Sequence, residues 1–152
     1  MRRLGYVALL LAGLLVLSAG HALSGERRLV LVGSPELRSL NLNAAEIRQL
    51  FLGYAVTKDN HDVTAAINKS DALLYEVFLQ KVIFMSSQTY ERQLVAKVFR
   101  YGGQLPPSFA RPEELTAALN SRPGLVTFMW EDNMRQLPGV TVVNELWHGS
   151  IE

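Results

Sequence analysis

The segment from Asn43 to Gly53 constrains the fold most, because it encodes both ends of a helix. Asn43 can accept hydrogen bonds from the first free backbone N–H groups, and Glu46 stands three residues later, as in a capping box. Apolar residues recur at spacings of three and four, as on one buried helix face: Ile47, Leu50 and Phe51. Gly53 is the residue type that takes up, at little cost, the left-handed conformation with which such a helix ends. The segment therefore predicts a short amphipathic helix that lies on a sheet.

Candidate strands alternate with candidate helices along the rest of the chain. The apolar run from Leu29 to Val32 predicts a strand covered on both faces, and Ser34 with Pro35 then predicts a single helical turn with Ser34 as its cap. Further apolar and β-branched runs predict three more strands, at 63–67, 125–130 and 140–143. This alternation is typical of an α/β fold, and we expect a central sheet of about four or five strands flanked by helices.

The longest predicted helix begins with Ser70 as its N-cap and runs for roughly four turns, as far as Phe84. A further helix is predicted over 88–99, with its buried side formed by Tyr90, Leu94, Val95 and Val98. Pro112 and two acids predict the start of another helix, over 112–120. The segment 54–62 is predicted to be a polar loop.

The first 22 residues have the composition of a secretory signal peptide. Two arginines precede the uncharged apolar run from Leu4 to Leu17, and Gly20-His21-Ala22 fits the small-x-small rule for signal peptidase. We therefore expect cleavage after Ala22, a mature domain of residues 23–152 and a periplasmic location. The alternative is an uncleaved membrane anchor, although the apolar run is short of the roughly 20 residues that span a bilayer.

Composition excludes several classes of function. The sequence has no cysteine, so disulfides, thiolate chemistry and a lipid-modified cysteine are absent. It has 15 basic and 14 acidic residues, and loss of the two signal-peptide arginines leaves 13 against 14. Near neutrality, without a basic tract, argues against a nucleic-acid partner and against an anionic lipid surface.

Four segments, in the same order, resemble the second lobe of the phosphate-binding proteins of ABC transporters, which have the type 2 periplasmic-binding-protein fold. The first is Leu42 to Gly53, with its cap, its glutamate and its Phe-Leu-Gly ending. The others are a strand and turn at 63–70, a turn and strand at 121–129 and a closing strand at 140–146. A two-lobed binding protein needs well over about 200 residues. The resemblance therefore implies a single lobe of that fold.

In that family, an Arg and a Ser-Gly-Thr turn at the start of a helix hold the phosphate, because helix N–H groups, hydroxyls and a bidentate Arg all suit an anion. The resemblance places this site at five consecutive residues: Asn68, Lys69, Ser70, Asp71 and Ala72. Ser70 would keep its hydroxyl, and Lys69 would replace the charge of the absent Arg. Asp71 adds a negative charge beside the anion, and helix capping explains Ser70 equally well. Ser34 is a second candidate for an oxyanion contact, with the same alternative.

The sequence contains no nucleophile elbow, phosphate-cradling glycine loop or acid–base pair, so we predict no enzyme. His61 with Asp62, and His148, lack a third ligand at metal spacing, and we predict neither a metal nor a cofactor. Trp130 and Trp147 are interpreted as core residues, with anchoring of a partner as the alternative.

Two functional hypotheses result. The first is a small exported binding domain for phosphate or a similar oxyanion, associated with phosphate transport or sensing. The second is a periplasmic adaptor that binds an envelope receptor or transporter through the former ligand cleft. The sequence leaves open whether two chains pair into a homodimer that rebuilds the clamshell.

Overall fold

A mixed, five-stranded sheet organises residues 25–151, the part of the chain that the computed structural model describes. Its strands are β1 (Arg27–Gly33), β2 (Val56–Lys58), β3 (His61–Ala65), β6 (Leu125–Trp130) and β7 (Thr141–Gly149), and a separate two-stranded ladder joins β4 (Ile67–Asn68) to β5 (Ser108–Phe109). The strand order is β2-β3-β6-β1-β7. In this sheet β3 and β6 run parallel, and the other neighbours are antiparallel. The predicted α/β class and strand number are confirmed. The predicted signal peptide and the bond after Ala22 lie outside the described residues.

Strand β1, which lies between β6 and β7, is covered on both faces, as its apolar run predicts. Leu29 and Leu31 point to the larger core cluster, while Val30 and Val32 point to the smaller one on the other face, and all four are at most 2 % exposed. β6 lies beside β1 and is buried throughout. These two strands form the floor on which the helices pack.

In the described part of the chain, five α-helices flank the sheet: α1 (Ala44–Phe51), α2 (Ala72–Phe78), α3 (Ser87–Tyr101), α4 (Pro112–Ser121) and α5 (Glu131–Met134). α1, α2 and α3 contribute to the larger core cluster, and α4 packs on the opposite face of the sheet with the smaller cluster. No helix among residues 25–151 combines the length and the apolar character needed to cross a membrane.

The predicted boundaries of α1 are confirmed. The side chain of Asn43 accepts a hydrogen bond from the Glu46 N–H at 2.9 Å, and the Asn43 N–H donates to the Glu46 carboxylate at 2.7 Å. Gly53 has a φ of +90°, the left-handed region that favours glycine. Local capping chemistry is sufficient to place this helix.

The predicted long helix has the expected extent but changes geometry within it. α2 continues directly into a π-helical turn, Leu79–Ile83, and the element ends at Phe84, which has a φ of +60°. The N-cap is Asp71, whose side chain accepts from the Leu74 N–H, so the prediction of Ser70 as the cap is wrong.

The polar loop predicted over 54–62 is also wrong, because it contains β2 and the turn of a hairpin. Asp59 and Asn60 occupy the turn with φ values of +47° and +65°, and both residue types tolerate this conformation. The strand predicted over 63–67 ends at Ala65, and the chain then joins β5 through β4. The Ile67 N–H donates to the carbonyl of Pro107 at 2.8 Å, so the change of partner keeps the backbone bonded.

α3 covers the predicted segment, but its buried side is narrower than expected. Tyr90 and Leu94 are buried, Val98 is half-buried and Val95 is 52 % exposed, so the prediction for Val95 is wrong. The helix contacts the core along one stripe, and Val95 lies outside it. The remaining elements extend the predictions: α4 matches 112–120 closely, and the last strand continues from 143 to Gly149.

Candidate functional site

The carboxyl ends of the parallel strands β3 and β6 meet at one edge of the sheet, where ligands of open α/β sheets usually bind. β1 is antiparallel to β6, so its amino end, with Arg27, reaches the same edge. We call this region the carboxyl edge and define it by Arg27, residues 68–72 and Trp130. The predicted site residues Asn68, Lys69, Ser70, Asp71 and Ala72 all lie there.

Ser34 lies elsewhere. It follows the carboxyl end of β1, which is the opposite edge of the sheet, and its hydroxyl donates to the carbonyl of Pro123 at 2.7 Å. The turn Pro35–Leu37 forms as predicted, but the Ser34 side chain makes no capping hydrogen bond to it. The fold therefore separates Ser34 from the five other predicted site residues.

The buried side chain of Asn68 stabilises the turn at the carboxyl edge through hydrogen bonds. Its side chain is 2 % exposed, and its amide nitrogen donates to the carbonyl of Phe128 at 3.1 Å. Its amide oxygen accepts from both the N–H and the hydroxyl of Ser70, at 3.0 and 2.6 Å. The Ser70 proton is therefore used within the turn, which leaves the Ser70 oxygen as an acceptor toward the outside.

Asp71 supplies the negative charge at the start of α2. One carboxylate oxygen accepts from the Leu74 N–H at 3.1 Å, and the other accepts from the indole N–H of Trp130 at 3.2 Å. Trp130 is 1 % exposed, so this bond satisfies a donor that water does not reach. The carboxylate thus stabilises the helix end that the resemblance assigns to a phosphate.

Two cations lie at the carboxyl edge. Lys69 is exposed, and its ammonium lies 3.2 Å from the Glu91 carboxylate and 5.2 Å from the ring centroid of Tyr75. The Arg27 guanidinium lies 4.0 Å from the ring centroid of Trp130, and no carboxylate among residues 25–151 forms an ion pair with it. A guanidinium stacked on an aromatic face keeps its in-plane N–H groups available for another partner.

Arg27 could not be assigned to the site from the sequence, because it belongs to a different segment from the turn. The only sequence feature that could have indicated Arg27 was the basic pair at the start of the first strand, and the pairing of β1 with β6 could not be predicted from that pair.

The pKa of the Tyr75 hydroxyl beside Lys69 is raised, chiefly by burial and further by the Glu91 carboxylate. This tyrosine therefore stays neutral at physiological pH.

Charged side chains of both signs lie together at the carboxyl edge. The two cations and the two carboxylates balance, and the Lys69–Glu91 pair is exposed, so exchange of Glu91 for another anion costs little. Among residues 25–151, no three His, Asp or Glu side chains are grouped to hold a metal ion. His148 instead contacts the Glu145 carboxylate at 2.7 Å on the exposed surface of β7.

A cleft of about 240 Å³ lies outside the carboxyl edge. It lies between the end of α1, β3 and the segment before β5, and its lining mixes apolar and polar groups, among them Leu50, Tyr54, Thr64, Gln104, Leu105 and Pro106. None of the predicted site residues lines it.

A scan of the sequence against protein-family models gave no match, and a search of curated proteins gave none either.

Proposed function

We propose that the chain is a single-lobe solute-binding domain, related to the phosphate-binding proteins of ABC transporters, that binds phosphate or a similar oxyanion at the carboxyl edge. The observation that supports this most is the presence of Arg27 at the same edge as Lys69 and the start of α2. The segment of this chain that matches the family's binding turn contains no arginine, and β1 supplies Arg27 from a different segment. The domain binds and releases its ligand without catalysing a reaction.

Each group at the edge has a defined part in this proposal. Arg27 offers paired N–H donors that match two oxygens of the anion. Lys69 adds a charge once it exchanges Glu91 for the ligand, and the N–H groups at the start of α2 add partial positive charge. Ser70 contributes by holding the turn with Asn68, since its own proton is already donated.

Asp71 sets an upper limit on the affinity. Its carboxylate lies at the same helix end, and a unit charge about 6 Å from the anion costs about 1–3 kcal/mol at an effective dielectric constant of 20 to 40. A single lobe also supplies contacts from one side only. The proposal is therefore of a weak, exchangeable site.

The test is thermal unfolding of residues 23–152 with excess phosphate, with sulfate as the comparison ion. A ligand at about 100 times its Kd stabilises the folded state by about 2.7 kcal/mol. We expect a phosphate-specific rise in Tm that Arg27→Gln and Lys69→Gln each reduce. Arg28→Gln is the matched control, because Arg28 is the next residue of β1 and contacts Glu145 on the other face.

A second arm uses the charge of Asp71. Asp71→Asn removes the repulsion, and we expect phosphate to bind about five- to a hundredfold more tightly, each variant being compared with its own ligand-free Tm. Absence of any phosphate-specific shift in both the wild type and Asp71→Asn would contradict the proposal. An equal loss of the phosphate-specific rise in Tm in Arg27→Gln and Arg28→Gln would show that phosphate does not bind at the carboxyl edge.

The adaptor alternative stays a weaker proposal. It requires an apolar surface in the former cleft, whereas the carboxyl edge is mostly polar and Leu73 is its exposed apolar neighbour. The most exposed large apolar side chain of the described residues is Phe99, on α3. No specific observation therefore favours an adaptor that uses this edge.

Export to the periplasm is part of the proposal and has a separate test. N-terminal sequencing of the protein recovered from the periplasm should begin at Leu23, because Gly20-His21-Ala22 fits signal peptidase. A secreted chain that still begins with Met1 would contradict the cleavage and favour the anchor.

A further inference from the structure

The outward side of α3 is apolar and basic at once. Five residues lie on it at spacings of three and four, which place them on one helix face: Arg92, Val95, Ala96, Phe99 and Arg100. We call this set the α3 outer face. All five residues are exposed, and Phe99 is 90 % exposed.

The exposure of Phe99 is not an accident of a loosely attached helix. The other side of α3 is anchored by Tyr90, whose hydroxyl donates to the carbonyl of Phe51 at 2.5 Å, and by Lys97, whose ammonium donates to the carbonyl of Gly53 at 2.8 Å. The orientation of the helix is therefore set by these contacts. Phe99 and Val95 are directed outward together, one turn apart.

The charge on this face has one sign. α3 carries three cations and a single acid, Glu91, which pairs with Lys69. Neither Arg92 nor Arg100 forms an ion pair with any carboxylate of the described chain. The near-zero charge of the whole chain conceals this local excess, which is why net charge alone argued against an anionic surface.

A second copy of the chain is a poor partner for the α3 outer face. Antiparallel packing of two such helices about Ala96 would place Arg92 opposite Arg100 of the copy, twice, with no carboxylate between them. Like charges that face each other at a helix contact are destabilising. The face instead fits a partner that is itself negatively charged.

We propose that the α3 outer face binds an anionic lipid surface, with Phe99 at the boundary of headgroups and acyl chains and Arg92 and Arg100 on lipid phosphates. Exposed aromatic and basic residues on one helix are typical of helices that lie in the membrane interface. Phe99 projects from a convex helix, and a bilayer accepts such a side chain without a preformed pocket. This inference does not depend on the proposed oxyanion site.

The experiment is sedimentation of residues 23–152 with vesicles of phosphatidylcholine alone or with one quarter phosphatidylglycerol. We expect binding to the anionic vesicles only, and its loss at about 1 M salt, where the Debye length is about 3 Å. Arg92→Gln and Arg100→Gln should each lower the partition coefficient about fivefold, and the double variant about 25-fold. Phe99→Gln should also lower it severalfold.

Phe84→Gln is the matched control, because Phe84 is 69 % exposed but follows the π-helical turn and lies outside α3. It should bind vesicles as the wild type does. Equal binding to neutral vesicles, or unchanged binding of the arginine and Phe99 variants, would overturn the proposal. Absence of binding to anionic vesicles would overturn the proposal as well. This outcome includes the case in which the α3 outer face binds an acidic protein instead of lipid. Unchanged Tm values of the variants show that these results do not come from unfolding.

Discussion

Removal of the Asp71 carboxylate tests the network that replaces the predicted Ser70 cap. Asp71→Ala deletes the N-cap of α2, at a cost of about 1 kcal/mol. It also leaves the buried indole N–H of Trp130 without its acceptor, at a cost of about 1–3 kcal/mol. We therefore expect a loss of about 2–4 kcal/mol in the free energy of unfolding, whereas Ser70→Ala leaves the cap in place and costs less.

Asp71→Asn separates the two contributions. Its single amide oxygen can keep the bond from the Leu74 N–H, while its amino group cannot accept from Trp130. We expect it to cost about 1–3 kcal/mol in the wild-type background and about 0.5 kcal/mol or less in a Trp130→Phe background, where the indole donor is gone.

The assay is urea-induced unfolding at neutral pH, followed by far-ultraviolet circular dichroism, since one variant removes a tryptophan. The coupling energy from the four proteins of the cycle is the quantity of interest. An equal cost of Asp71→Asn in both backgrounds would refute the argument that Asp71 satisfies the buried indole.

Three further predictions concern the packing of the core and the pH dependence of stability. Phe78→Ala should lower the free energy of unfolding by about 3–5 kcal/mol in urea titrations. The Phe78 ring is fully buried and stacks on the ring of Phe128, with 3.7 Å between the ring centroids. Tyr90→Phe should cost about 1–2 kcal/mol through its bond to Phe51; burial raises the Tyr90 pKa above 10, so the wild type should lose stability as pH rises beyond 10 and the variant should lose less. The Lys58 ammonium, 2.9 Å from the Glu46 carboxylate, lowers the pKa of that carboxyl below 4.5. The stability that the ionised carboxylate contributes is therefore fully present above pH 4.5 and is lost as the pH falls. Lys58→Gln should flatten the acid side of a Tm–pH profile.

Much of the local structure could be predicted from the sequence. The cap at Asn43, the glycine at Gly53 and the proline at Pro112 act within a few residues of the helix ends they define, so their effect does not depend on the rest of the fold. The four apolar residues of β1 likewise required a strand buried on both faces. The turn 68–72 could be proposed as a site because it matches the turn that, in the phosphate-binding proteins that the chain resembles, holds the anion between a strand and a helix.

Only the tertiary structure decided which residues meet at the carboxyl edge. Arg27 reaches the carboxyl edge and Ser34 is excluded from it because β1 runs antiparallel to β6, and strand direction is a non-local property that no short segment encodes. Ser70 and Asp71 were both suitable caps by residue type. Asp71 is the cap in the fold, where it also satisfies the indole N–H that β6 brings to it, while Ser70 donates to the buried amide of Asn68. Local chemistry determined both ends of α1 and the start of α4, and strand pairing determined what meets at the edge of the sheet.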